Sequence, residues 1–210
     1  MGFRLPLEEV ALVDSLDNDS VLSGFAGQNV NVKYDRSLAA SQQSNGTWTP
    51  RAYIVSLPYD YNFTDYYEDG QASIYRLRFK EEYYRQFVFM RDECLLMQTG
   101  KAYLVVVNQG EVNMNAIDVK LNNEVVEDST VIVDSFEDWY FDDKYTHVGK
   151  WMANFRSISD VEADTMNIYG MRNDGTWARF QSEGGEEKYR LAAFRGYLEV
   201  SAAAPEAPEA

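Results

Sequence analysis

The sequence predicts an all-β protein: two packed antiparallel sheets, sandwich-like, in Greek-key or jelly-roll order, with at most one or two short helices. Three observations predict it. The 210 residues carry 15 Tyr, 11 Phe and 4 Trp, types enriched in strands because they fit a pleated, half-buried surface. Apolar residues recur at every second position in short runs, the period of a strand with one face in the core. Asn, Asp and Gly punctuate those runs, and neither a βαβ rhythm nor a long helical period is visible.

In chain order, a short helix is expected over 20–25, with Asp17 or Asp19 at its start and Gly27 at its end. Val30, Val32 and Tyr34 alternate with Asn31 and Lys33, which reads as a half-buried strand. Asn45-Gly46 and Asp69-Gly70 mark turns around a strand at 53–57. Tyr75, Leu77 and Phe79 alternate with Arg76, Arg78 and Lys80, so the cations belong to an outward face. A strand follows at 86–90. Leu104 to Val107 is continuously apolar, as a strand buried on both faces requires. Ile117, Val119 and Leu121 alternate with Asp118 and Lys120, and Asn122-Asn123 reads as a hairpin turn toward Val125. Further strands are expected at 130–133 and 147–155. The strongest hairpin signal is Asn173-Asp174-Gly175, whose residues tolerate the positive φ of tight turns, between runs at 166–169 and 176–180. Gly184-Gly185 marks a turn before strands at 189–192 and 194–200. Residues 10–200 form a single domain or two apposed halves with a seam near 108–115, and the Ala, Pro and Glu of 202–210 read as a disordered tail or linker.

Composition narrows function by what it disfavours. The net charge of −15 argues against nucleic acid, whose phosphates need clustered Lys and Arg, and against anionic membrane surfaces. No apolar run reaches the roughly 20 residues of a membrane span. The chain has one histidine, His147, and one cysteine, Cys94. A disulfide framework, a zinc spacing and a Cys or His catalytic centre are therefore not expected, and no phosphate loop or G-x-S-x-G is present. With 34 acidic residues, a carboxylate pair suited to glycoside hydrolysis arises at any separation by chance. The expectation is a non-enzyme without a resident cofactor. The start, Met1 to Arg4, lacks the apolar core of a signal peptide, so the chain is either cytosolic or cut from an exported precursor.

Two aromatic clusters stand beside carboxylates: Tyr59, Tyr61, Phe63, Tyr66 and Tyr67, and Trp139, Tyr140 and Phe141. An exposed ring can stack on the C–H face of a sugar while a neighbouring acid bonds its hydroxyls. Core packing is the competing role, since Tyr and Trp bury large areas. Oxygen-only ligands suit Ca²⁺, and Asp138, Asp142 and Asp143 are the candidate ligands, although their spacing does not match a calcium loop.

Several segments, in order, resemble a module of large exported Bacteroidetes surface proteins, leucine-rich-repeat-associated or in tandem. They are Asp17 to Ser20 with Leu22; Gly27 to Val32 with Arg36-Ser37-Leu38; Asn45 to Trp48; Leu57 to Asp60; Gly100 to Leu104; the hairpin 167–180; and Ala193 to Leu198. The chain departs from the family pattern in the eight residues between Trp48 and Leu57 and in Ser56, where the family carries Cys. The resemblance implies an extracellular or cell-surface, non-catalytic β-rich module for adhesion or structural display. Its partner would be a protein or a glycan at a cell surface; a carbohydrate-binding module is the alternative and a glycan-active enzyme a third reading.

Overall fold

The computed structural model describes residues 6–14, 18–80, 86–92, 95–126, 132–137, 144–171, 177–180, 182 and 190–202. The chain opens with β1 (Glu9–Leu12), α1 (Asp19–Phe25), β2 (Asn29–Tyr34), β3 (Ser37–Ala39), β4 (Ser41–Gln42), β5 (Trp48–Thr49), β6 (Arg51–Ser56) and β7 (Tyr61–Asn62). It continues through α2 (Thr64–Glu68), β8 (Ala72–Lys80), β9 (Gln86–Arg91), β10 (Leu96–Met97), β11 (Ala102–Val107), β12 (Glu111–Asn113) and β13 (Ala116–Lys120). The last part holds β14 (Ile132–Glu137), β15 (Lys144–Met152), β16 (Ile158–Ser159), α3 (Asp160–Met166), β17 (Ile168–Met171), β18 (Trp177–Arg179), β19 (Arg190–Leu191) and β20 (Tyr197–Ala202). The all-β reading stands. The helix count does not: three short helices are present among the described residues where at most one or two were expected.

The strands form one sheet of five (β14-β15-β20-β17-β18), one of four (β6-β11-β8-β9), one of three (β1-β2-β13) and four two-stranded pairs. Among the described strands, pairing is antiparallel except β1 with β2, which run parallel on either side of α1. That departs from a purely antiparallel expectation. A helix between two short strands returns the chain in the same direction, as a parallel pair needs.

β11 is the centre. It lies between β6 and β8, opposing Ser56 to Ala102 on one side and Tyr75 to Leu104 on the other. Its residues alternate between two clusters. Tyr103, Val105 and Val107 pack with Val55 and Ile74, and with Val10, Leu12, Val30 and Val32 of the three-stranded sheet. Ala102 and Leu104 pack with Ile54 and Leu77, and with Trp151 and Leu198 of the five-stranded sheet. The continuous apolar run is therefore buried on both faces, as its composition predicts. The Trp151 indole N–H donates to the Ala102 carbonyl at 2.9 Å, tying β15 to β11.

Local chemistry explains the other elements. Gly46, at φ 83°, closes the β4–β5 hairpin, and β17 pairs antiparallel with β18, Met171 opposite Trp177. At α1 the N-cap residue is Asn18, not Asp17 or Asp19. Its side chain bonds both backbone groups of Val13 instead of the helix. Ser159 caps α3, its hydroxyl accepting from the Glu162 N–H at 3.2 Å. The Glu162 carboxylate pairs with Arg156. Asn122-Asn123 makes no hairpin: the Asn122 N–H donates to Pro58 and the Val126 N–H to Gly100, so the chain runs on past β11's entrance. The stretch 108–115 contains β12, which pairs with β3, and Val112 and Met114 there are fully buried. Arg76 is not outward. It pairs with buried Asp92 and lies 5.6 Å from the Tyr103 ring centroid.

Candidate functional site

The Tyr59–Tyr67 segment is built around Phe63, which has no exposed surface. Tyr61 meets Phe63 edge-on at 6.5 Å and Tyr66 is tilted against it at 5.5 Å. The hydroxyls converge on one stretch of backbone. Tyr59 donates to the Met114 carbonyl at 2.5 Å. Tyr61 and Tyr66 donate to the Asn113 carbonyl at 2.8 and 3.1 Å, and the Asn113 N–H donates back to Tyr66 at 3.2 Å. A buried phenol needs such a partner, because a lost hydrogen bond in a core leaves an unsolvated group.

The tyrosines therefore clamp β7 and α2 onto the end of β12. Tyr59 is fully buried and presents no ring face to a sugar. Tyr61 and Tyr66 are half-buried, with hydroxyls committed to backbone. Tyr67 lies beneath Arg91, whose guanidinium sits 5.2 Å from the ring centroid and donates to the phenol at 3.2 Å. Burial pushes the Tyr59 phenol well above the ordinary range. It does the same to Tyr61, where Tyr66 adds to the effect.

The second predicted cluster, Trp139, Tyr140 and Phe141, and the candidate calcium ligands Asp138, Asp142 and Asp143 lie outside the described residues. Among the described residues, no group of three or more His, Cys, Asp or Glu side chains is placed to hold a metal. His147 pairs through its backbone with Val133 and Ala202, inside the five-stranded sheet.

The exposed aromatic surface is elsewhere. Trp177, on β18 at the edge of the five-stranded sheet, is 37% exposed. Its ring is stacked on Phe89 of β9 at 6.3 Å with 4° between planes, and Trp151 meets it edge-on at 5.9 Å. The stack bridges the rims of two sheets and leaves part of the indole open. Trp48, on the β4–β5 hairpin, is 38% exposed. Sequence reasoning placed Trp177 only as a strand residue. The signal available was its position just after the hairpin turn, where a terminal strand is apt to be an edge. A polar groove of about 540 Å³ lies between β13 and the 99–100 turn, lined by Asp60, Asp118, Lys120 and Glu124, with no aromatic ring among its described lining.

No protein-family model, no curated protein and no solved structure matches this chain.

Proposed function

We propose that this chain is a non-catalytic interaction module of an extracellular or cell-surface protein, serving adhesion or structural display. Its scaffold in this reading is sandwich-like, and its parent is a Bacteroidetes-type surface protein of the kind its ordered motifs resemble. The observation that supports it most is the structural use of the motif residues. A Cβ on Gly100 would lie 2.7 Å from the Glu124 carbonyl, at a backbone φ of 74°. Arg195 reaches Asp14, near the start of the chain, at 3.2 Å. Tyr59, next to Pro58, is a core clamp. Each serves rigidity, which suits a module that acts by presenting a fixed surface. The charge of −15 keeps such a surface soluble and favours cationic partners.

Treating intact source cells with a protease that cannot cross membranes tests this. The chain should be cleaved before lysis. Protection until lysis overturns the surface assignment, and turnover of a polysaccharide by the purified chain overturns the non-catalytic one.

Trp177 favours carbohydrate binding as the second reading. A partly open indole held rigid by Phe89 is a platform for a sugar face, and aromatic stacking is geometrically selective. A glycan panel should yield a ligand whose affinity falls at least tenfold in Trp177→Ala. An unchanged affinity removes Trp177 from the site, and a panel without any bound glycan removes the reading.

A further inference from the structure

The chain carries 19 Lys and Arg against 34 Asp and Glu, yet three arginines line one cavity of about 200 Å³, and no carboxylate is among its described lining residues. The cavity lies between β6 at the rim of the four-stranded sheet and the β17, β19 and 192–196 segments. Arg36, Arg190 and Arg195 supply the charge; Ile54, Met171 and Phe180 supply apolar wall.

Arg36 and Arg195 are held, not merely near. Arg36 lies over the Tyr53 ring at 5.5 Å, and Tyr53 is pinned by its hydroxyl to the Ala39 carbonyl at 2.6 Å. Arg195 follows Phe194, whose φ of 60° is in the left-handed region and whose ring is locked between Tyr34 and Phe155. Gly196, the next residue, is pressed so close to β6 and β11 that a Cβ would collide with Ala102 and meet Ile54 at 2.9 Å. The backbone carrying Arg195 thus has little freedom, and strained positions of this kind gather at ligand clamps.

The charge of Arg195 is met in part. Asp14 bonds Arg195 Nη2 at 3.2 Å, but Arg195 Nε is closed to solvent and has no hydrogen-bond partner. An atom that water cannot reach a ligand cannot reach either, so Nε adds nothing to the cavity; the rest of the half-exposed Arg195 side chain does. Burial holds Arg36 below the usual guanidinium range, and the charge of Arg195 adds to that.

We propose that Arg36, Arg190 and Arg195 form a binding site for a small organic carboxylate. Guanidinium forks match a carboxylate in plane and spacing, which a lysine does not. The apolar wall suits an acid with a carbon body over bare inorganic phosphate. The volume is below that of a typical drug-sized pocket, so the ligand has the size of one acidic sugar or a small organic acid. This site stands apart from the surface assignment and does not depend on it.

Calorimetric titration of the intact chain with glucuronate, benzoate, succinate and inorganic phosphate, at fixed ionic strength, tests it. At least one carboxylate should bind saturably, and the panel separates an acidic sugar from other organic acids. Affinity should fall at least tenfold in Arg36→Gln and in Arg190→Gln; Arg190 is exposed at the cavity mouth, so its variant keeps the test valid if Arg36→Gln unfolds. Failure of every carboxylate to saturate, an unchanged affinity in Arg190→Gln, or phosphate binding more tightly than all three acids overturns the proposal.

Discussion

A phenol in water is solvated whichever way it turns; in a core it must be aimed. Tyr59, Tyr61 and Tyr66 are aimed at two carbonyls, and that aim, rather than their hydrophobicity, holds β7 and α2 in place. Burial also changes the acid–base behaviour of Tyr59 and Tyr61. Tyr34 and Tyr197 are both pushed up to about 12, in each case chiefly by burial. A raised phenol favours the folded state while it is neutral. That stability is fully present below about 10, the ordinary tyrosine value, and is lost as pH rises from there through about 12. A spectrophotometric titration of the 15 tyrosines should therefore show a step well above the ordinary tyrosine value that coincides with loss of the β-type circular dichroism signal. One transition near 10 with the fold intact would contradict the burial described above. At this scale the sequence located the aromatic cluster but not its role, since Tyr59 and Tyr67 look alike in a string and differ only in what the fold places above them.

At the scale of elements, period two identified most strands and failed where one residue broke it. Ile117, Val119 and Leu121 should share a buried face. Asp118 instead adopts φ 54°, its N–H donating to Asn31 Oδ1 and its carboxylate accepting from Asn29. The register of β13 against β2 shifts there, leaving Ile117 83% exposed while Leu121 remains buried. A bulge inserts a residue and reverses the alternation, and nothing in the letters Ile-Asp-Val announces it. The parallel β1–β2 pair was equally hidden, because four residues are too few to carry a period. α3 is legible in the sequence: Ser159 with Glu162 three residues later is a helix-start signature. Packing of elements also fixes the sign of a substitution. Gly196→Ala should destabilise by roughly 1–3 kcal/mol through overpacking against β6 and β11. Gly24→Ala, in α1 with nothing within 4 Å of its Cβ, should stabilise by about 0.5–1 kcal/mol. Urea midpoints of the two variants should lie on opposite sides of the parent; a shared direction would contradict the packing at Gly196.

For the whole molecule, the sequence made the all-β class plain through composition and alternation, and left the layering out of reach. The apolar run of β11 shows that both its faces are covered. It does not show that the covers come from residues 10–34 on one side and 151–198 on the other. Such pairings are set by long-range register, which a linear pattern does not encode. Trp177 lies on the edge strand of the five-stranded sheet, and the three arginines line a cavity beside β6, the edge strand of the four-stranded one.

β11 also imposes an order of events on a chain emerging from the ribosome. Strands β6, β8 and β9 are made before it and have no central partner until residue 107 is out. Even then, Ile54, Leu77 and Leu104 face water until Trp151 and Leu198 arrive, some fifty to ninety residues later. At about 5–20 residues per second, that apolar sheet face stays uncovered for seconds, long enough for other chains to find it. The last quarter of the polypeptide is thus the cover that keeps the first half from aggregating, and a premature stop after residue 126 would release a sheet with one greasy side.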